Sequence, residues 1–233
     1  VLADVEDHVF AADSTYTNPL KAVEFFKKTQ VDALAISYGT MHGASKGKNV
    51  KLRRQIPIAI RECMAHEGIT GGLVSHGSST VPAYIVKEIN TLGGDIQNAY
   101  GISIEELREA ISCGINKINV DTDIRLAVTR NLKELFCGRP QLRESASVGD
   151  VYRLLEANKD KFDPRVFLPP LMDTVMFGEV KDEDTQAVME CVEKGVKEVV
   201  GTLIVQFDAF GKAPLVERPT LEEMKEYYRK NEK

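Results

Sequence analysis

Tryptophan is absent, and aromatic residues make up only 7% of the sequence. With helix formers plentiful, that shortage favours an α/β chain over an all-β sandwich, whose strands draw on aromatic and β-branched residues. No apolar run approaches the roughly 18 residues that a membrane span requires. Positive charge is not in excess either: the formal net charge is -5. General nucleic-acid binding, which needs a basic stripe to displace counterions, is thereby excluded. A small anionic substrate is not, because local donors matter more than net charge. Only four cysteines occur, at 63, 113, 137 and 191, with no CxxC pair. The pattern offers no thiolate zinc site and fits a reduced, cytoplasmic setting better than a disulfide framework. The sequence also opens at Val1 rather than Met, so it is expected to continue upstream, and no targeting signal can be read.

What is present is ordinary for one soluble globular domain: 233 residues, 43% hydrophobic and 28% charged. Three stretches read as short buried strands, at 31–38, 72–75 and 115–120, each followed by a polar loop. Helical patterns lie between them, at about 19–28, 51–66, 82–92 and 103–113. Pro19 suits a first helical turn, and Ser103-Ile-Glu-Glu106 reads as a capping box on a helix that closes at Gly114. Strand, loop and helix in repetition imply a parallel sheet with both faces covered. After Ile124 the chain turns mostly helical, with long patterns at 151–159 and 174–210 and an amphipathic tail at 220–233.

The polar clusters follow the C-terminal strand ends, where a β/α barrel assembles its active site. A doubly wound open sheet would use the same edge. Three strands cannot close a barrel, since strand number, tilt and shear are linked. A full barrel takes about 250 residues, so an upstream portion is expected, with 1–5 as the end of an earlier strand.

Three loops carry candidate chemistry. His42 and His76 each stand just beyond a strand beside glycine, and two imidazoles so placed point at one spot. Imidazole is the commonest zinc ligand, and a catalytic zinc takes three protein ligands with one open position. The alternative for each is a solvated loop histidine. His66, at a helix end, and His8 read more simply as structural or solvated. Gly43, Gly77, Ser78 and Ser79 can form a phosphate cradle, since small residues let main-chain N–H groups approach and hydroxyls add donors. Lys46 can add a point charge. Asn119 and Asp121 alternate and share a side. Asp121 can accept from substrate hydroxyls and Thr122 can donate to phosphate, while Asp-Thr-Asp reads equally well as a helix N-cap. Arg125 in the first helical turn opposes the helix dipole, which hints at an anion partner, one that a neighbouring subunit could supply. Glu6, past another strand end, can move protons beside a metal-bound carbonyl, although an ordinary charged loop explains it as well.

Together these loops resemble the class II fructose-bisphosphate aldolases. GTxHGxxK stands at 39–46, HGSS at 76–79 and KINxDTDxRLA at 117–127, while KFDPR at 161–165 and FDAFG at 207–211 look like the family's C-terminal helical region. The branch suggested is one with an insertion like 93–102. The resemblance implies a (β/α)8 TIM barrel represented here by its C-terminal strand–helix units (1–137) and a helical extension (138–233). It implies a zinc-dependent lyase of glycolysis and gluconeogenesis, cleaving fructose 1,6-bisphosphate into dihydroxyacetone phosphate and glyceraldehyde 3-phosphate. His42 and His76 would be zinc ligands. Gly43, Lys46, Gly77, Ser78 and Ser79 would hold one phosphate together with Asp121 and Thr122. Asn119 would bind the dihydroxyacetone phosphate half, Arg125 the other phosphate across a dimer interface, and Glu6 would be the acid/base residue. A monovalent cation (Na+ or K+) is compatible with the same site. A further ligand His and a catalytic Asp would lie on earlier strands, outside these residues. The expected protein is a cytoplasmic homodimer or higher homo-oligomer with no nucleic-acid or membrane partner. Ala3-Asp4, Tyr38 and Ser45 depart from the common pattern, which leaves tagatose 1,6-bisphosphate as an alternative sugar and a catalytically silent phosphate-binding barrel as an alternative role.

Overall fold

The computed structural model describes residues 16–40, 50–217 and 219–231. Glu6, His8, His42, Gly43, Lys46 and the strand expected at 1–5 lie outside them.

Helix α1 (Pro19–Thr29) starts where expected, with the Asn18 side chain accepting from the Leu20 and Lys21 N–H groups. It leads into β1 (Ala33–Ala35). Then follow α2 (Gln55–His66), β2 (Gly72–Ser75), α3 (Ala83–Thr91), α4 (Ile104–Ser112), β3 (Lys117–Ile118) and α5 (Thr122–Gly138). The strands form one parallel sheet in chain order, β1-β2-β3. Leu34 pairs with Leu73, and Ser75 with Ile118. Among the described residues no further strand pairs with either edge. The chain is thus α/β with a small parallel sheet, and mostly helical.

The strands are shorter than the apolar runs suggest, although bonds from Ile36 N–H to the Val74 carbonyl and from Asn119 N–H to the Ser75 carbonyl extend the pairing beyond them. Helix α2 begins later than the apolar pattern does. Residues 51–54 instead form a strap, because the Leu52 N–H donates to Glu106 and the Arg53 N–H to the Tyr38 carbonyl. Both groups are therefore engaged outside any helix. The capping box is half formed. Ser103 accepts from the Glu106 N–H at 3.2 Å. The Glu106 carboxylate turns away to Lys51 at 2.9 Å and the Leu52 N–H at 3.1 Å, where a cation outcompetes a return bond to the helix start.

Beyond the sheet come α6 (Gly149–Ala157), α7 (Pro164–Phe167), α8 (Pro169–Phe177), α9 (Glu183–Gln206) and α10 (Leu221–Asn231). The helical pattern at 174–210 is divided: α8 stops at Phe177, and Asp182 starts α9 by accepting from the Thr185 N–H at 2.8 Å. Among the described residues the apolar side chains gather in three cores. One packs α1, α2 and α4 on the sheet through Phe26, Leu34, Ile60, Leu73 and Leu107. A second joins α5 to α6, α7, α8 and α9 through Leu132, Phe136, Leu155 and Val188. The third, with Ile85, Leu126 and Val199, links α3, α5 and α9. Helices α5 and α9 cross closely at Gly195, where a Cβ would stand 2.9 Å from the Val128 nitrogen. That crossing ties the helical region to the helix that starts at the candidate site.

Candidate active site at the strand ends

β2 is buried through Leu73, Val74 and Ser75, so the chain leaves the sheet at one defined point and presents His76 there. Gly77 follows at φ +61°, a left-handed conformation that glycine adopts without a Cβ penalty. The turn sends Ser78 and Ser79 back inward, and both are buried. The Ser79 Oγ accepts from the N–H groups of Asp121 (3.1 Å) and Thr122 (3.0 Å). A hydroxyl from the β2 loop thus caps α5, and the Asp121 side chain makes no cap bond of its own. The two polar segments singled out in the sequence are joined at this bond.

Asn119 closes the arrangement from β3. Its Nδ2 lies 3.1 Å from Nε2 and 3.4 Å from Nδ1 of His76, and its Oδ1 accepts from the Lys117 ammonium at 2.6 Å. The side-chain amide is therefore held between the Lys117 ammonium and the ring of His76. The Ser78 hydroxyl faces the interior, 2.6 Å from the Ser75 Oγ and 3.1 Å from the His76 carbonyl. It belongs to the loop's framework here. The Thr122 N–H, expected to donate to a phosphate, is likewise engaged by Ser79.

Asp123, weighed in the sequence only as part of a cap, proves central. Only 1% exposed, it accepts from the Thr80 N–H, the Thr80 hydroxyl and the Val81 N–H at 2.9, 2.8 and 2.7 Å. Val81 sits at φ +50°, which a β-branched residue adopts only when its surroundings enforce it. The 93–102 segment braces the same loop: the Ile102 N–H donates to the Ser79 carbonyl, and a Cβ on Gly101 would fall 2.2 Å from the Thr80 carbonyl.

Arg125 binds Asp121 through Nε at 2.8 Å and through a second nitrogen at 2.5 Å, and reaches Asp163 at 2.6 Å. Its awkward place in the first turn of α5 is compensated by two carboxylates of the same chain. Asp163 also takes the Arg165 guanidinium, whose hydrogen bond, with the charge of Arg125, holds the Asp163 carboxyl below the usual range despite partial burial. The Asp121 side chain is 67% exposed and can still meet a ligand. A cleft of about 800 Å³ lies behind the loop, between Val81, Tyr100, Ile102 and Leu203. His76, Asn119 and Asp121 do not line it.

Residues 1–212 match the family model of class-II fructose-bisphosphate aldolase. The chain belongs to that family. Its relatives include fructose-bisphosphate aldolase of Xanthobacter flavus, 41% identical over 158 residues that make up 67% of this chain and 39% of the relative. Fructose-bisphosphate aldolase class 2 of Synechocystis sp. is 33% identical over 216 residues, 93% of this chain and 49% of the relative. The chain thus spans half or less of the length of these relatives. Among solved structures, fructose-bisphosphate aldolase of Campylobacter jejuni superposes with a TM-score of 0.51 at 16% identity, covering 83% of this chain and 45% of that one. At that identity the likeness bears on the fold alone.

Class II aldolases are generally metal-dependent. Among the described residues no three His, Cys, Asp or Glu side chains gather around one point. His76 by itself fits a ligand by its placement, following a strand end and flanked by Gly77. The Asn119 amide nitrogen beside its ring is a donor, so it meets a ring lone pair and not the N–H that a metal-bound imidazole directs to an acceptor.

Proposed function

We propose that the chain forms part of a zinc-dependent lyase that reversibly cleaves fructose 1,6-bisphosphate to dihydroxyacetone phosphate and glyceraldehyde 3-phosphate. The observation that carries this reading is the His76–Asn119 pair at adjacent parallel strand ends, set in the family's HGSS and KINxDTD motifs. A (β/α)8 barrel is the architecture proposed with it, supported by strands in chain order with helices between them and two open sheet edges. Residues 1–137 would supply barrel units and 138–233 the helical extension.

Breaking the C3–C4 bond requires a base to take the C4 hydroxyl proton, the role of the catalytic Asp that the resemblance puts on earlier strands, and leaves enediolate charge that must be stabilised. Zinc held by His76, with His42 from the sequence motif, would act as a Lewis acid, a contribution of several kcal/mol in metal-assisted reactions generally. Asn119, whose amide nitrogen lies beside the His76 ring, would turn that amide to donate to the dihydroxyacetone phosphate half. The main chain at Gly77, with Gly43 and Lys46, would meet one phosphate, with Ser79 holding the loop against α5. Asp121, exposed at the same edge, would accept from substrate hydroxyls. Arg125 would take the second phosphate, exchanging its bond to the exposed Asp121 while Asp163 keeps the guanidinium in place. Glu6 would carry the proton at C3. Orientation of the kind two phosphate anchors provide is worth about 7–11 kcal/mol at best.

A homo-oligomer is part of the reading, now resting on the exposed Val200 and Ile204 along α9 rather than on Arg125. A cytoplasmic setting accords with four free cysteines. No helix of the described residues is long and apolar enough to cross a membrane. The test is cleavage by the full natural polypeptide before and after EDTA, with zinc added back, on the fructose and tagatose bisphosphates in parallel. Loss to chelation and recovery with zinc, on the fructose substrate first, is the expected result. Activity that survives thorough chelation would remove the metal from the mechanism, and inactivity on both sugars with zinc bound would favour a silent binding role.

A further inference from the structure

We infer that Tyr38 and Ser75 are positioning residues of this site: a directed chain of buried hydroxyls runs from Tyr38 through Ser75 and Ser78 to the main-chain carbonyl of His76 and fixes where that imidazole is presented. The inference rests on the reading of His76 as a zinc ligand.

Tyr38, Ser75 and Ser78 are each 0% exposed, so bulk solvent does not reach their hydroxyls. The Tyr38 hydroxyl lies 2.5 Å from the Ser75 Oγ, which lies 2.6 Å from the Ser78 Oγ, itself 3.1 Å from the His76 carbonyl oxygen. Each hydroxyl has one proton to give, and a carbonyl can only accept. Ser78 must therefore donate to His76. Its oxygen then accepts from Ser75, and Ser75, its own proton committed, accepts from Tyr38. The direction follows from the end point. Burial pushes the Tyr38 phenol up, which keeps the first donor of the chain protonated.

Both candidate zinc loops depart from the two strand ends that this chain connects. Tyr38 stands four residues before His42, and its carbonyl accepts from the Arg53 N–H at 2.8 Å, drawing together the two stems of the loop that contains His42. Ser75 immediately precedes His76, and its carbonyl accepts from the Asn119 N–H at 2.9 Å. A phenylalanine would fill the same space as Tyr38. What the hydroxyl adds is a bond across β1 and β2 that ends on the His76 main chain. Partners hydrogen-bonded to a liganding imidazole commonly change metal affinity by about 10–100-fold when removed, and an anchor that acts through the His76 main chain is set at the lower end of that range.

The test compares wild type, Tyr38→Phe, Ser75→Ala and the double variant in the full natural polypeptide. Zinc affinity is measured by competition with a chelating dye, kcat and KM on fructose 1,6-bisphosphate separately, and Tm by circular dichroism. The expected result is zinc binding about 10-fold weaker in each single variant. A lower kcat at nearly unchanged KM and a double variant little worse than either single one are also expected. Zinc affinity and kcat within twofold of wild type, with only Tm lowered, would overturn the inference and leave a packing role. Should Ser75→Ala fail to fold, Tyr38→Phe, which removes one oxygen and keeps the ring, decides the matter. A wild-type protein that binds no zinc would overturn the zinc reading and this inference together. One that binds zinc with unaffected variants would overturn this inference alone.

Discussion

Replacing Asp123 with alanine should be among the most damaging single changes in the protein. The carboxylate is 1% exposed and accepts three hydrogen bonds, two of them from main-chain N–H groups of Thr80 and Val81. Truncation leaves three donors facing a space the side chain filled. Each buried donor left unsatisfied costs about 1–3 kcal/mol; the Val81 N–H is buried and the two Thr80 donors are part-buried, so the sum before relaxation falls below the roughly 9 kcal/mol upper bound for three buried donors. The loop can recover part of this by turning the Thr80 hydroxyl outward and letting Val81 leave its φ of +50°, a conformation worth about 1–3 kcal/mol of strain. A net loss of about 4 kcal/mol is the expectation, at the upper end for a point mutation and a large part of a typical domain's stability. Asp123→Asn should cost about half as much, since one oxygen still accepts while the amide nitrogen opposes a donor. Urea unfolding followed by circular dichroism measures both. If Asp123→Ala lowers stability by less than about 1 kcal/mol, the three bonds do not hold the loop and the reasoning fails.

Other substitutions probe neighbouring parts of the account. Gly101→Ala places a Cβ 2.2 Å from the Thr80 carbonyl, so backbone must yield. A loss of about 1–3 kcal/mol is expected, and an unchanged unfolding midpoint would show that the 93–102 segment does not brace the loop. Burial raises the Glu106 carboxyl, but bonds from Lys51 and the Leu52 N–H, with the charges of Lys51 and Arg54, outweigh it and hold the group below its ordinary value. A depressed folded value means stability present above the ordinary carboxylate range and lost as pH falls through the folded one. Glu106→Gln should therefore lower Tm clearly at pH 7 and much less near pH 3, and a pH-independent difference would contradict this. Lys133 is 2% exposed, its ammonium makes no hydrogen bond, and Glu156 is 3.8 Å away. Lys133→Met should raise stability by about 1–3 kcal/mol, and a clear loss in the same unfolding assay would mean that the ion pair is net favourable.

The fold was legible where local chemistry is unambiguous. Asn18-Pro19 marked a helix start, and apolar runs ahead of Gly-containing loops marked strands, because capping and burial act over a few residues. Misreadings arose where a distant group decides the outcome. The start of α2 is set by Glu106 and Tyr38 taking the Leu52 and Arg53 N–H groups. The break between α8 and α9 is carried by a single aspartate cap that an apolar pattern does not register. At the site, His76, Asn119 and Asp121 were found from their positions after strands, and the structure brings the first two within hydrogen-bond distance. The roles of Ser79 and Asp123 were missed for one reason: each acts on the other segment of the pair, 42 or more residues away along the chain. Arg125 looked misplaced because one of its two partners, Asp163, lies 38 positions downstream.

The central claim is that His76 presents its imidazole to a catalytic zinc. The most direct measurement is metal content by mass spectrometry, taken with fructose 1,6-bisphosphate cleavage, for the full natural polypeptide and its His76→Ala variant at matched Tm. The account predicts zinc in the wild type, with zinc and cleavage lost together in the variant. A variant that keeps both its zinc and its cleavage would contradict it.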